Sequence, residues 1–389
     1  MRFATKAIRI GQDPEREHRS VTYPIYQTST FAWDQCDAEP PIAYSRVSNP
    51  NRNVLEQVLA SMENGAFATV FGSGMAAVVA GLSGLQAGDH VLVSSDIYGG
   101  THRYIESILP RQGISHSVFD ACRPASIAEQ VLANTKMLVF ESPTNPLLRV
   151  CDIAAVVAEA KKHGLITLFD NTFASPALQN PLDLGVDIVM HSTTKYISGH
   201  SDVIGGALIT NSDAHALQAF EWIKNTGATP SPFDCWLSLR GLKTLDVRMR
   251  RHCENAQKVA EYLASRDDVE AVFYPGLADH PDHAIARRQM SGFGGMLSFT
   301  IGDAEFARAV ATHTECFLLA ESLGGVESLI GYPTLMSHGC LTEDQRVERG
   351  VHPNLLRLSV GIEDADDLIE DLDRAILRAR QGQRLGSRG

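Results

Sequence analysis

The sequence predicts an α/β fold in which a mostly parallel sheet is followed by a smaller α+β domain. The first observation is that short apolar runs alternate with helical segments, as in "HVLVSS", "IAAVVAEAKKHG" and "LITLFDNT". The second is that this alternation ends near "TPSPFD", where a long helix is predicted from Trp236 to Ser265. The third is that scattered strands such as "MLSFTIG" follow, before a final helix, "DADDLIEDLDRAILRAR".

The chain divides into three predicted parts. Residues 1–47 have little periodicity and are expected to form an arm. Residues 48–232 form the α/β domain, which opens with the helix "NVLEQVLASMENG", with Asn53 as its N-cap and Gly65 as its stop. Residues 233–389 form the C-terminal α+β domain.

Composition excludes several classes of protein. The 389 residues carry a net charge of −12, which argues against a general surface for nucleic acids or anionic membranes. No apolar run approaches the roughly 18 residues of a transmembrane helix, and the N-terminal residues lack an apolar signal core. The seven cysteines form no CxxC pair. We therefore expect a cytoplasmic protein with reduced thiols and no metal centre.

Polar residues stand at the ends of several predicted strands, where open parallel sheets bind ligands. "FGSGMAA" opens a helix whose free N–H groups suit a phosphate. The other strand-end candidates are Tyr98, Arg103, Ser142, Asn145, Asp170, Ser192, Thr194 and Lys195.

A ligand that needs all these groups has a phosphate, a flat ring, a ring cation and a carbonyl, and pyridoxal phosphate has each of them. Lys195 is the candidate for covalent attachment, Asp170 for the ring nitrogen and Tyr98 for stacking on the ring. The candidate phosphate contacts are the N–H groups of Gly74 and Met75 and the hydroxyls of Ser192 and Thr194.

Other interpretations stay open when each of these residues is taken alone. A lone lysine after a strand is usually solvated, and a strand-end aspartate is often a turn residue. "GSGMAA" also fits a loose dinucleotide fingerprint, with Asp96 about twenty residues on. A nicotinamide enzyme would leave Lys195 and Asp170 without a purpose.

The segment "DIVMHSTTKYISGHS" resembles the lysine signature of the Cys/Met-metabolism family of pyridoxal-phosphate enzymes. The similarity continues in order through "YSRVSNP", "YGGTHRY", "ESPTNPLLRV", "AESLGGVESLI" and "LLRLSVGIED". The resemblance implies a fold-type-I enzyme that acts on a small amino-acid substrate. It also implies a homotetramer built as a dimer of dimers.

The resemblance implies particular roles at the matching positions. Tyr44 and Arg46 would cross to the phosphate in the neighbouring subunit, and Lys195 would also shuttle protons. Tyr98 would take part in proton transfer. The implied substrate contacts are Arg357 for the α-carboxylate, with Asn145 and Ser322 nearby, and Arg103 for a distal carboxylate.

The family implies carbon–sulfur chemistry on L-cystathionine, with α,γ-elimination as the reaction we expect. Gly100 and Arg103 disfavour a methionine γ-lyase, because such enzymes usually carry a cysteine in place of Gly100. Ala43 stands where an acid usually precedes "YSR", and Asn51 stands where threonine is usual. The alternatives are γ-replacement on an O-acylhomoserine, then β-elimination. A pyridoxal-phosphate protein without turnover is a further alternative from another class.

Overall fold

The computed structural model describes residues 1–339 and 342–386, and these residues include two β-sheets. The strands of the first sheet are β1 (Phe67–Phe71), β2 (His90–Ser94), β3 (Ser115–Phe119), β4 (Thr135–Glu141), β5 (Ile166–Asp170), β6 (Ile188–His191) and β7 (Gly206–Thr210). Their spatial order is β1-β7-β6-β5-β4-β2-β3.

The predicted, mostly parallel sheet is confirmed. Strands β2 to β6 lie parallel, whereas β7 is antiparallel to both of its neighbours, β1 and β6. The chain passes from β6 to β7 without a crossover helix, and such a direct return pairs strands antiparallel. Lys195 lies on this return connection. Strand β3 was not predicted, because "SHSVF" is an edge strand with no continuous apolar run.

Both faces of the first sheet are covered by apolar side chains. In β4, Met137 and Val139 belong to one buried cluster, whereas Leu138 and Phe140 belong to another. Successive side chains of a strand point to opposite faces, so the two clusters lie on opposite sides of the sheet. This double cover explains why the central strands read as continuous apolar runs.

Asn49, rather than the predicted Asn53, caps the helix that opens the α/β region. The Asn49 side chain accepts a hydrogen bond from the N–H of Asn51 at 2.9 Å. Pro50 occupies the first helical position, which suits proline because a first-turn residue needs no intrahelical N–H donor. The helices in the first 226 residues are α1 (Phe3–Arg9), α2 (Pro50–Met62), α3 (Gly74–Leu82), α4 (Gly99–Ser107), α5 (Ser126–Gln130), α6 (Ile153–Lys162), α7 (Ser175–Leu178) and α8 (Asp213–Thr226). Two 3₁₀ turns lie at Leu109–Gln112 and Pro181–Leu184.

The second sheet has its own apolar core, which includes Leu297, Phe299, Leu356 and Leu368. The elements of this region are α9 (Pro232–Leu242), α10 (Leu245–Ala264), β8 (Val269–Phe273), α11 (His283–Gln289), β9 (Met296–Ile301), α12 (Ala304–His313), β10 (Leu318–Leu319), β11 (Leu329–Gly331), α13 (Glu343–Glu348), β12 (Leu355–Ser359) and α14 (Ala365–Gly386). Its strand order is β10-β11-β12-β9-β8. Among the described helices, none is long and apolar enough to cross a membrane. The boundaries after residues 47 and 232 stay predictions.

The single long helix predicted from Trp236 to Ser265 is wrong, because the chain forms α9 and α10 with a break between them. At the break, Arg248 Nη2 donates a hydrogen bond to the Gly241 carbonyl at 2.9 Å. A Cβ on Gly241 would lie 2.1 Å from the Ser198 carbonyl oxygen. The break therefore packs α9 against the connection that carries Lys195.

Candidate active site

A cavity of about 630 Å³ lies at the carboxyl ends of the parallel strands, where the first sheet meets the second. It brings together eleven of the fourteen candidate residues named from the sequence. These are Gly74, Met75, Tyr98, Arg103, Asn145, Asp170, Ser192, Thr194, Lys195, Ser322 and Arg357. Ser142, Tyr44 and Arg46 do not line it.

Lys195 presents a reactive amine to this cavity. Its Nζ donates a hydrogen bond to Ser322 Oγ at 2.7 Å. Burial and then the nearby Arg357 charge lower the pKa of Lys195 to about 8, although the Glu321 charge partly opposes the shift. The neutral, nucleophilic amine is therefore more populated near neutral pH than that of a solvated lysine.

The chain from the second sheet approaches Lys195 closely because of an unusual backbone at two positions. Ser322 has a φ of 111°, a backbone conformation that residues other than glycine rarely adopt. Gly324 has a φ of +77°, and a Cβ there would lie 2.7 Å from the backbone nitrogen of Tyr196. The glycine thus permits the contact that brings Ser322 to Lys195.

Asp170 ends β5 with its carboxyl group at the cavity. Its Oδ1 accepts a hydrogen bond from the N–H of Thr172 at 2.9 Å. Burial raises the pKa of Asp170, and the hydrogen bonds from Thr172 and the charge of His191 partly offset that shift. A buried acid of this kind gains from a cationic partner, which the protonated nitrogen of a pyridine ring supplies.

The N-terminus of α3 meets the connection after β6 at one end of the cavity. Ser73 caps the helix, and its Oγ accepts the N–H of Ala76 at 3.1 Å. The N–H groups of Gly74 and Met75 lie in the first turn, where no intrahelical acceptor exists. A Cβ on Gly74 would lie 2.9 Å from Ser192 Oγ, so the helix end and this hydroxyl are neighbours. The arrangement fits a phosphate group.

Thr194 also lies at this end, with its hydroxyl bonded to the backbone. Thr194 Oγ1 donates to the Gly205 carbonyl at 3.2 Å and accepts the Gly205 N–H at 3.0 Å. This pair of hydrogen bonds closes the loop between β6 and β7. Thr194 therefore fixes the shape of the loop that presents Lys195.

Tyr98 stands at the cavity with 45% of its surface exposed, immediately before α4. A Cβ on Gly100 would lie 2.5 Å from Tyr98 Cε1 and 2.9 Å from Met75 Sδ. Only glycine at position 100 leaves the tyrosine ring its present place beside Met75. The exposed ring face is available for stacking on a flat ligand.

The guanidinium of Arg357 is buried and is held in place by two hydrogen bonds. Its Nη1 donates to Asn145 Oδ1 at 2.8 Å, and its Nη2 donates to the Ser322 carbonyl at 3.0 Å. Burial lowers the pKa of Arg357 to about 10. Two neutral acceptors orient the guanidinium without neutralising its charge, so it is prepared for an anionic group such as a carboxylate.

Two acidic residues at the cavity were missed by the sequence reasoning. Glu321 lies beside Lys195 and Arg357, and its charge raises the pKa of both groups. Glu141, at the end of β4, lies in the segment "ESPTNP" but is not among the residues predicted for the site. Its position at a strand end was the signal that would have found it. Among the described residues there is no cluster of histidine, cysteine and acidic side chains that suits a metal ion.

Tyr44 and Arg46 lie outside the cavity of their own chain. Arg46 Nη1 donates to the Lys224 carbonyl, and its guanidinium lies 5.5 Å from the centre of the Tyr44 ring. Tyr44 is 44% exposed. Both side chains are therefore on the outside of this single chain.

Comparison with known proteins gives a consistent family. The model of the "Cys/Met metabolism PLP-dependent enzyme" family, where PLP is pyridoxal phosphate, matches residues 4–377. Cystathionine gamma-synthase of Mycobacterium leprae is 48% identical over 378 residues, which cover 96% of each chain. Cystathionine beta-lyase of Lactococcus lactis subsp. cremoris is 44% identical over 372 residues, which cover 96% of this chain and 98% of the relative.

A solved structure adds a third reaction. Cystathionine gamma-lyase from Lactobacillus plantarum, complexed with L-serine, superimposes with a TM-score of 0.95 at 41% identity, covering 98% of this chain and 100% of that one. The similar proteins thus include a synthase, a β-lyase and a γ-lyase, all named for cystathionine.

Proposed function

Because the chain belongs to the Cys/Met metabolism family of pyridoxal-phosphate-dependent enzymes, we propose that it cleaves L-cystathionine by α,γ-elimination. The products are cysteine, 2-oxobutanoate and ammonia. The observation that carries this proposal is the charge pattern of the cavity. The basic residues that line it are Arg103, Lys195 and Arg357, and the acidic residues are Glu141, Asp170 and Glu321. Cystathionine has an amino-acid group at each end, and this pattern complements both.

The residues present fit the cofactor that the family uses. Asp170 would face the ring nitrogen, Tyr98 would stack on the ring, and Lys195 would hold the aldehyde carbon covalently. The groups proposed for the phosphate are the N–H groups of Gly74 and Met75 with the hydroxyls of Ser192 and Thr194, the latter turning from the Gly205 carbonyl to donate. When bound there, pyridoxal phosphate supplies an aldehyde that condenses with amines and a ring that withdraws electrons from the Cα of an amino acid.

The protein's own groups would then bind the substrate and move protons. Arg357, held by Asn145 and Ser322, binds the α-carboxylate, and Arg103 binds the distal carboxylate. The Lys195 amine takes the proton from substrate Cα, passes it on, and then takes one from Cβ, with Tyr98 in the same cavity as a second proton-carrying group. As the Cγ–S bond breaks, one of these protons goes to the sulfur, which leaves as the thiol of cysteine. The other returns to the carbon chain, and one water is consumed in releasing ammonia and 2-oxobutanoate.

Two alternative reactions are supported by specific observations. The relative from M. leprae is named as a synthase, and γ-replacement needs the same cavity. Ala43 carries no acid for the distal ammonium group, which favours β-elimination. Glu321 supplies an acid from within the chain instead, and this supports γ-cleavage.

The synthase alternative is tested by comparing turnover of cystathionine with turnover of O-succinylhomoserine plus cysteine. Faster cystathionine formation than cleavage would replace the lyase proposal.

Arg103→Ala is expected to raise the KM for cystathionine about 10- to 150-fold, the loss of one charge-assisted contact of about 1.5–3 kcal/mol. Monocarboxylate amino acids should be affected far less, because they offer no distal carboxylate. Steady-state kinetics with both substrate types measures the difference. Arg111→Ala, a neighbouring exposed arginine outside the cavity lining, is the matched control. An equal loss for both substrate types would remove Arg103 from the distal site.

We further propose that Tyr44 and Arg46 complete the phosphate site of a neighbouring subunit in a dimer of dimers. Their exposed position away from their own cavity supports this arrangement. Mixing Arg46→Ala subunits with Lys195→Ala subunits should restore activity that neither variant has, since a mixed dimer contains one site with both residues. Mass spectrometry must show that subunits exchange. Mixed dimers without activity would assign Arg46 to its own subunit or to no site.

A further inference from the structure

Glu141 is a buried acid for which the reaction outlined above has no use. It is the last residue of β4 and is 5% exposed. Among the described residues, no lysine, arginine or histidine forms an ion pair with it. A buried carboxyl group without a cationic partner is costly to the fold. Such a residue at a cavity points to a role in function.

The hydrogen bonds of Glu141 join two parts of the site. Its Oε2 accepts the backbone N–H of Tyr98 at 2.8 Å, and its Oε1 accepts the backbone N–H of Asn145 at 3.1 Å. Asn145 in turn orients Arg357 through the contact of 2.8 Å between Oδ1 and Nη1. The Glu141 carboxyl group therefore fixes the backbone of Tyr98, whose ring is exposed. It also fixes the backbone of Asn145, whose side chain holds the buried guanidinium of Arg357.

Glu141 also lies beside Asp170. The two residues pair in register on neighbouring parallel strands, and both line the cavity. Residues paired in this way point to the same face of the sheet. Burial and the neighbouring Asp170 charge raise the pKa of Glu141 well above its ordinary range.

We propose that Glu141 is a positioning residue that sets Tyr98 and Arg357 in their relative places. This inference rests on the site proposed above and adds one residue to it. It predicts that a single change at Glu141 weakens both cofactor binding and substrate binding. If Glu141 only supported the fold, its substitution would change neither the dissociation constant of the cofactor nor the KM of the substrate.

Glu141→Gln is the test, because glutamine keeps the volume but accepts only one N–H where the carboxylate accepts two. The dissociation constant for pyridoxal phosphate, measured by equilibrium dialysis of the apoprotein, is expected to rise about 10- to 100-fold. The KM for cystathionine, with both keto acids quantified, should rise similarly. Glu254→Gln, at an exposed position on α10, is the matched control.

Asp170→Asn and Arg357→Lys are measured beside it. If these two variants weaken binding but Glu141→Gln changes both constants by less than about 3-fold, the inference is overturned and the site stands. A lower melting temperature of Glu141→Gln with unchanged constants overturns it equally. If all three variants bind as the wild type does, the proposed site and the inference fall together.

Discussion

Lys195→Ala is expected to lower the turnover of cystathionine by on the order of 10⁴-fold or more, because one side chain supplies both covalent attachment and proton transfer. Wild-type protein with pyridoxal phosphate should be yellow, and borohydride reduction followed by peptide mapping should place the pyridoxyl group on Lys195. The variant should lose this attachment, although noncovalent binding can remain. Pyridoxyl on a different lysine would contradict the assignment.

The same experiment has a pH dependence with a definite sign. The neutral amine is the nucleophile, and the pKa of Lys195 is about 8. The rate of attachment should therefore rise with pH and level off above about 8. Lys243→Ala is the matched control, because burial, followed by the charge of Arg9, also lowers the pKa of Lys243, which lies outside the cavity lining.

Asp170→Asn is expected to lower kcat about 10²- to 10³-fold, the usual loss when one group that stabilises transition-state charge is removed. An amide cannot hold a pyridine nitrogen in its protonated form, so the ring withdraws electrons less strongly. Thermal unfolding of the apoprotein should change little, because burial already disfavours the Asp170 charge. Near-normal kcat would exclude Asp170 as the partner of the ring nitrogen.

The control for this variant is Asp187→Asn. Asp187 accepts hydrogen bonds from the N–H and the hydroxyl of Thr167, at 2.8 and 2.7 Å, away from the cavity. We expect it to lose stability, through the Thr167 contacts, while keeping its kcat. The two variants thus separate catalytic loss from folding loss.

The position of the cavity was predictable because apolar runs mark strands, and parallel strands end at one edge. Asp170 and Lys195 follow such runs directly, so local pattern was enough to select them. Glu321 and the hydrogen bond from Lys195 to Ser322 depend on how the second sheet meets the first. No local pattern encodes that contact.

The errors also have physical causes. Asn53 satisfies the preference for an N-cap residue, but Asn49 satisfies it earlier in the chain, next to Pro50. The break between α9 and α10 is stabilised by Arg248, whose hydrogen bonds reach the carbonyls of Gly241 and, at 2.7 Å, Tyr196. Tertiary contacts of this kind override helix propensity. The role proposed for Arg46 would depend on a second chain, which the fold of one chain does not supply.

The identity of the keto acid released from L-cystathionine by the purified protein tests the central proposal most directly. Chromatography of the trapped keto acids, together with an amino-acid assay, distinguishes the two modes of cleavage. We predict 2-oxobutanoate and cysteine as the main products, because the proposed contacts of Arg103 and Glu321 would hold the distal end so that the Cγ–S bond breaks. Pyruvate and homocysteine as the main products would contradict α,γ-elimination and make this protein a β-lyase.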